Sequence, residues 1–381
     1  MSLTVQVGTH SNWVGSHYWS ALERRSDKSD VAHNYNECAH GNLTPRLFVV
    51  ESPDEVGGGF GEEPESPSPG GEFDVQVIER ESGDTGIHPF RQALLMGQEP
   101  VSLNYDSLGY WTDFWELRSL PSHMELSRAV GRDKYWFETK RDQDWDETSL
   151  RRLVEETDEA ITTLQLLASM QDVSGGLSCS LFEYLRTSYP KSKCFSLVSP
   201  LPAMHHFGHD HSIPAVVNLA QFTMSLLSDD TNCLIVAPPH RESDSSRIVN
   251  SGTEAVWLDS LRLLSCEVNS IECIYLSIDG VSLYSPPHAS GYGSITPRSR
   301  ESGFVKNVGN PVHVTPQSDV AAGTYSESCI VPVLENAIPV VRRFVRDFKQ
   351  VYAEYCEEGD FVETVEFLSD RLSHLKPQTD D

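Results

Sequence analysis

The first residues of the chain alternate between apolar and polar side chains and predict a strand that leads directly into a helix. Apolar residues occupy every second position of residues 3–7, as in a short buried strand, and Gly8 follows. Val14, Tyr18 and Leu22 then recur at helical spacing. A glycine turn between a strand and a helix N-terminus gathers backbone N–H groups and a positive dipole end at one point, where a nucleotide phosphate can bind. An ordinary strand-to-helix turn without a ligand is the alternative interpretation.

Hydrophobic periodicity predicts further strands and helices along the rest of the chain. The clearest amphipathic pattern covers residues 146–170, and we expect one long helix there, then a glycine turn at 171–180 and a helix that contains Leu181. In the last helix, Asp360 with Glu363 fits an N-cap box. The other predicted strands are 44–51, 73–78, 194–198, 233–237, 271–278 and 281–284, and the other predicted helices are 214–227, 256–264 and 338–356.

Composition places the chain among acidic globular proteins. Its 381 residues include 39% hydrophobic residues, enough for a substantial core, and 29 basic against 56 acidic side chains give a formal charge of −27. A polyanion of this strength is repelled by nucleic acid and by anionic lipid, so we expect neither as a direct partner. The eight cysteines are scattered without a Cys-x-x-Cys pair, which predicts reduced cytosolic thiols rather than a disulfide scaffold or a zinc site.

The sequence shows no pattern of a secretion signal, an import presequence or a membrane span. No run approaches roughly 18 consecutive apolar residues, and the N-terminus has no basic region followed by an apolar core. We therefore expect a cytoplasmic protein without a transmembrane segment.

Two polar segments interrupt the pattern of strands and helices. Residues 52–71 are rich in Pro, Gly, Ser and Glu and predict a flexible insertion, because they hold too little apolar surface to order themselves. Residues 202–211 contain four histidines and one aspartate, which could hold Zn²⁺ or Ni²⁺. The tract lacks His-Glu-x-x-His or a comparable spacing, so we expect a polar loop and no metal site.

Four parts of the chain carry a family resemblance. Residues 5–19, Val-Gln-Val-Gly-Thr-His-Ser-Asn-Trp-Val-Gly-Ser-His-Tyr-Trp, resemble the opening strand, phosphate loop and first helix of tubulins. Residues 44–47, Thr-Pro-Arg-Leu, and 111–114, Trp-Thr-Asp-Phe, resemble segments of the Misato proteins, tubulin-like proteins linked to mitochondrial distribution and shape. The paired C-terminal helices, joined at 357–360, resemble the tubulin C-terminal hairpin. The aromatic side chains of 111–115 are expected to anchor a helix to the core.

The tubulin resemblance implies a guanine-nucleotide site, with GTP or GDP and Mg²⁺ as the cofactor. A first loop would cradle the phosphates, a second glycine loop would lie opposite, one acid would lie near the metal and one asparagine near the base. The alternatives are a solvated strand end for the acid and helix capping for the asparagine. The residues are Gly8, Thr9, His10 and Asn12 in the first loop, Ser174, Gly175 and Gly176 in the second, Glu51 as the acid and Asn218 as the asparagine.

Two departures from the tubulin pattern argue against hydrolysis. The second loop keeps only two glycines, and each lost glycine adds a Cβ where a phosphate must approach the backbone closely. The chain also lacks the Gly-x-x-Asn-x-Asp loop whose acid triggers hydrolysis in tubulins, and the nearby Asp259 lies on a predicted helix without a supporting Asn or Gly. We therefore expect no catalytic residue.

The sequence thus predicts a tubulin-like α/β fold in three parts. An N-terminal domain (1–237) would hold a Rossmann-like parallel sheet with helices on both faces, a smaller β-rich domain (238–335) would form a second layer, and a helical hairpin (336–381) would follow. The Misato resemblance implies a non-catalytic organiser of mitochondrial distribution, morphology and inheritance in the cytoplasm and at the outer face of mitochondria. Its partners would be tubulin, a chaperonin or mitochondrial outer-membrane proteins. A GTP-binding, polymerising GTPase or cytoskeletal spindle factor is the alternative, and a histidine-cluster metalloenzyme is a third hypothesis.

Overall fold

The computed structural model describes a mainly parallel sheet and the helices that pack on it. The described residues are 2–23, 35–37, 43–52, 55–57, 87–98, 108–115, 123–126, 135–141, 151, 161–170, 174–199, 213–227, 233–236, 251–252, 254–255, 258, 273–278, 320–325 and 331–375. The strands are β1 (Ser2–Val7), β2 (Tyr35–Glu37), β3 (Leu43–Pro45), β4 (Leu47–Glu51), β5 (His123–Leu126), β6 (Thr163–Ser169), β7 (Lys193–Ser199), β8 (Cys233–Val236), β9 (Cys273–Ile278) and β10 (Val320–Tyr325). The helices are α1 (Thr9–Glu23), α2 (Pro89–Leu95), a 3₁₀ helix (Trp111–Phe114), α3 (Trp136–Arg141), α4 (Ser174–Ser188), α5 (Ile213–Leu227), α6 (Val331–Asp347), α7 (Lys349–Tyr352) and α8 (Glu358–Leu375).

Eight of these strands form one sheet in the order β10-β9-β8-β7-β6-β1-β4-β5. Neighbouring strands are parallel except β9 and β10. At the centre, Val7 of β1 lies between Val50 of β4 and Ala168 of β6. From β1 the chain adds β4 and β5 on one side, then returns to add β6, β7 and β8 on the other. The strand order therefore reverses between β1 and β6, as in doubly wound α/β folds.

Helices cover both faces of the sheet around β1. On one face α1 packs so closely that a Cβ on Gly15 would overlap the buried side chain of Gln6. On the other face Leu3, Val5 and Val7 join the main apolar core, to which α4, α5, α6 and α8 contribute. Because both faces are covered, the polar Gln6 is as fully buried as its apolar neighbours.

Aromatic rings join the two long C-terminal helices to α3. The ring of Phe344 in α6 lies 5.1 Å from that of Tyr135, which directly precedes α3, and 5.5 Å from that of Phe361 in α8. The ring of Trp136 is in turn 5.9 Å from that of Phe361. The hairpin predicted at the end of the chain therefore packs on the same core as the sheet.

Most of the predicted elements that fall on described residues are confirmed. The strand at 44–51 is found as β3 and β4, and those at 194–198 and 233–237 as β7 and β8. The helix at 214–227 is α5. The helix at 338–356 is found as two helices, α6, which begins earlier at Val331, and α7, which ends at Tyr352, so residues 353–356 are not helical. None of the described helices is long and apolar enough to cross a membrane.

The long helix predicted over 146–170 is wrong in its described second half. Residues 163–169 form β6, which pairs with β1 at the centre of the sheet. A strand that is buried on both faces carries a nearly continuous apolar run, and the run Leu-Gln-Leu-Leu-Ala at 164–168 also fits the apolar stripe of a helix. Periodicity alone therefore could not distinguish the two structures.

Three smaller predictions are also corrected. α4 begins at Ser174, so the glycines expected in a turn at 171–180 lie in the first turn of a helix. Asp360 is the third residue of α8 and not its N-cap, and its carboxylate accepts a hydrogen bond of 3.1 Å from the N–H of Glu357. The strand expected in a second β-rich layer, β9, instead pairs with β8 in the main sheet.

Some predictions fall on other parts of the chain. The strands at 73–78 and 281–284 and the histidine tract at 202–211 lie outside the described residues, as does the insertion at 52–71 apart from residues 52 and 55–57. The division into domains at 1–237, 238–335 and 336–381 stays a prediction.

We expect the free energy of unfolding to fall as the pH rises from about 9 to about 12. Burial raises the pKa of the Cys194 thiol from 9.0 to about 12, and burial together with the charge of Glu138 raises the pKa of Tyr135 from 10.0 to about 12. Both groups lose their protons at lower pH in the unfolded chain, so rising pH favours unfolding. Urea denaturation across this range measures the loss, and Cys194→Ala should remove the cysteine's share. A constant urea midpoint would contradict the prediction.

Candidate functional site

The two loops that the sequence singles out follow neighbouring strands. β1 leads into α1, and β6 is followed by α4. Because β1 and β6 are adjacent and parallel, both helices begin at the same edge of the sheet. α1 and α4 lie on opposite faces, so the site that they border is at the carboxyl ends of the strands, where open α/β sheets bind their ligands. The candidate site thus lies where the strand order reverses.

Gly8 forms the turn between β1 and α1. Its φ is +87°, a conformation that residues with a Cβ rarely adopt. Its N–H donates to the carbonyl of Val50 at 3.0 Å, and its carbonyl accepts the N–H of Asn12 at 3.0 Å, as an α-helix requires. The turn therefore fixes the start of α1 against the end of β4.

The carboxylate of Glu51, the last residue of β4, is bonded to the first turn of α1. One oxygen accepts the hydroxyl of Thr9 at 3.1 Å and the N–H of Ser52 at 2.8 Å. The other accepts the side-chain amide of Asn12 at 2.9 Å and the indole N–H of Trp111 at 3.1 Å. Glu51 is fully buried, so it is not a solvated strand end. Four donors on two acceptor oxygens match the needs of an ionised carboxylate.

A second carboxylate reaches the same turn from a distant part of the chain. Nε2 of His10 lies 3.0 Å from Oε1 of Glu254, and both side chains are buried. We call the buried helical residues around this acid the Glu254 segment. A Cβ on Gly252 of this segment would contact the imidazole of His17, which lies further along α1 than His10. The described members of the Glu254 segment are Ser251, Gly252, Glu254, Ala255 and Leu258.

The two glycines at the start of α4 allow close packing. A Cβ on Gly175 would lie 3.0 Å from the sulfur of Met170 and 3.1 Å from the side-chain nitrogen of Asn218. A Cβ on Gly176 would lie 2.8 Å from the backbone carbonyl of Tyr135. Both glycines therefore have a packing role that requires no ligand.

Asn218 lies inside α5, where it is fully buried. Its Oδ1 accepts the N–H of Trp136, the first residue of α3, at 2.9 Å. Asn218 therefore satisfies the N-terminus of a neighbouring helix rather than of its own, and a contact with a base stays a prediction. At the start of α4, the hydroxyl of Ser174 donates to the carbonyl of Ser169 at 3.3 Å.

The nine predicted site residues form two groups at the ends of neighbouring strands. Hydrogen bonds or chain neighbourhood join the members within each group, except that Asn218 is joined to its group by close packing against Gly175. The first group is Gly8, Thr9, His10, Asn12 and Glu51, and the second is Ser174, Gly175, Gly176 and Asn218.

Trp111, Trp136 and Glu254 form hydrogen bonds to members of these groups and were not predicted as site residues. Trp111 is buried as an aromatic anchor, as expected, but it also donates to Glu51. Glu254 belongs to no recognisable motif. The only sequence feature that could have indicated a role for it is its position as a lone acid before the apolar run Ala-Val-Trp-Leu at 255–258. Asp259, the acid considered in that segment, lies outside the described residues.

The described residues of the α1 turn do not fit a magnesium–nucleotide complex. The side chains of Thr9, His10 and Asn12 are already bonded to Glu51 or Glu254, and the N–H of Gly8 is bonded to a carbonyl. The resemblance accounts for Glu51 as the acid near the metal, but Glu254 adds a second buried negative charge that triphosphate oxygens would meet, and like charges repel most strongly away from water. Within the part of the chain that the structure describes, no group of three or more His, Cys, Asp or Glu side chains could hold a metal ion.

Comparison with known proteins finds fungal relatives. Protein DML1 of Gibberella zeae is 26% identical over 290 residues, which cover 67% of this chain and 56% of that protein. Protein dml-1 of Neurospora crassa is 24% identical over 229 residues (51% and 41%), and Protein DML1 of Phaeosphaeria nodorum is 24% identical over 310 residues (69% and 58%). The chain spans about half the length of the curated relatives it matches. No protein-family model matches the chain. These similarities support the resemblance to the Misato family, which includes the DML1 proteins.

Proposed function

We propose that this protein is a tubulin-like organiser of mitochondrial distribution, morphology and inheritance that acts through protein partners and catalyses no reaction. The observation that carries the proposal is the first turn of α1. Its sequence resembles a tubulin phosphate loop and it lies where the strand order reverses, yet its side chains bind carboxylates of the same chain. A tubulin-like scaffold whose phosphate-loop side chains bond to its own carboxylates suits a protein that binds partners better than a protein that switches with nucleotide.

The resemblance to the Misato proteins supplies the cellular part of the proposal, and the similarity to the DML1 relatives supports that resemblance. The partners would be tubulin, a chaperonin or proteins of the mitochondrial outer membrane. The protein would then work in the cytoplasm and at the outer face of mitochondria.

A GTP-binding, polymerising GTPase is the second candidate. It is favoured by the position of the site, because α1 and α4 both begin at the edge of the sheet where doubly wound folds bind nucleotides. This candidate predicts GTP turnover and GTP-dependent pelleting of the purified protein.

Deletion of the gene in the source organism, followed by imaging of mitochondria, tests the proposal. We expect clumped or unevenly inherited mitochondria, rescued by the wild-type gene and by Glu363→Gln, which alters an exposed residue of α8. We also expect the purified protein to neither hydrolyse GTP nor pellet with it. Normal mitochondria after deletion would overturn the cellular role, and GTP turnover with pelleting would favour the second candidate.

A further inference from the structure

We infer that Glu51 and Glu254 are built-in anions of the α1 turn, and that they make the fold independent of a bound nucleotide. The inference rests on the proposed function in one respect, since it explains how a tubulin-like scaffold persists without a nucleotide switch. It adds that the turn is occupied by the chain itself rather than merely weakened as a nucleotide site.

The end of α1 supplies the attraction for these anions. The first N–H groups of a helix have no partner within the helix, and the aligned peptide dipoles place positive charge at that end. Thr9, His10 and Asn12, all in the first turn, carry the side chains that bond the two carboxylates. The acids therefore lie where a helix stabilises negative charge.

Burial shows that the carboxylates are held there firmly. Glu51 and Glu254 both have 0% exposed surface, and a buried carboxylate is costly unless partners compensate for the lost water. Glu51 has four donors, and Glu254 has the imidazole of His10. A phosphate could replace either acid only by breaking these bonds and exposing the displaced carboxylate.

The Glu254 segment also packs along α1. It contacts α1 at His10 and beside His17, so it covers the helix from its first turn to its middle. The ring of Phe114 also packs against His17, with the two ring centroids 4.6 Å apart. The helix is thus fixed by residues that lie far apart in the sequence.

Nucleotide titration of the purified wild-type protein is the first test. We expect no heat of binding for GTP, GDP or ATP with Mg²⁺ at millimolar concentration, and no change in melting temperature. Micromolar, guanine-specific binding that Gly8→Trp abolishes would overturn the inference.

Removal of the second anion is the independent test. Glu254→Ala is expected to lower the melting temperature, and formate or acetate should restore it more than chloride does at equal ionic strength, because a small carboxylate can take the vacated place beside His10. Glu363→Ala, in which an exposed acid is removed, should show no such rescue. Glu254→Gln keeps the shape and loses the charge, so it should also melt lower if the alanine variant does not fold.

A Glu254→Gln variant as stable as the wild type, or equal effects of formate and chloride on Glu254→Ala, would overturn the inference. Neither result bears on mitochondria. The inference and the proposed function can therefore fail separately.

Discussion

Glu51→Ala is expected to lower the free energy of unfolding by about 4 kcal/mol, because it removes the acceptor of four buried donors. The hydroxyl of Thr9, the amide of Asn12, the N–H of Ser52 and the indole of Trp111 would all lose their bond to the carboxylate. Each unsatisfied buried donor costs about 1–3 kcal/mol, reduced where water enters the vacated space. The start of α1 would keep its bonds to the carbonyl of Val50 but would lose those to Glu51.

Urea denaturation of purified variants measures this effect. Glu363→Ala is the matched control, since it removes an exposed carboxylate and should change the free energy of unfolding by less than about 0.5 kcal/mol. Glu51→Gln should fall between the two, because its oxygen can accept two of the donors while its NH₂ group faces the others. A loss below about 1 kcal/mol for Glu51→Ala would mean that the carboxylate does not hold the turn.

The location of the candidate site could be predicted from the sequence, but its contents could not. A strand, Gly8 and a helix are local features, and the resemblance added Thr9, Asn12 and Glu51, which the structure joins by hydrogen bonds. The partner of His10 comes from residue 254, and no local pattern relates the two positions. A contact between residues 244 positions apart depends on the tertiary fold, so it cannot be predicted from the local sequence around either residue.

The fold class could be predicted from the sequence, but the order of the strands in the sheet could not. Alternating strands and helices indicate an α/β fold, and the structure has one. The apolar run that forms β6 was predicted as helix, since a central parallel strand has no polar face to set a period of two. Without β6 the reversal of strand order beside β1 could not be located either.

Gly176→Ala is expected to lower the free energy of unfolding by about 3 kcal/mol, because an added methyl group has no space at the contact between α4 and α3. Its Cβ would lie 2.8 Å from the carbonyl carbon and oxygen of Tyr135 and 2.9 Å from the nitrogen of Trp136. These are backbone atoms, so no side-chain rotation relieves the overlap. Asn218 accepts the same N–H of Trp136, and Tyr135 is packed against the ring of Phe344, so α3 cannot move away without breaking other contacts.

The same substitution distinguishes two roles of Gly176, as space for a phosphate or as space for the packing of α3. If Gly176 mainly leaves room for a phosphate, alanine should preserve the stability of the nucleotide-free protein; if it leaves room for α3, stability falls with no ligand present. Gly359→Ala in α8 is the control, since nothing lies within 4 Å of its Cβ and alanine should add about 0.5–1 kcal/mol. Urea denaturation of both variants, followed by tryptophan fluorescence, compares them. A Gly176→Ala protein as stable as the wild type would contradict the packing role and return the glycine to the phosphate hypothesis.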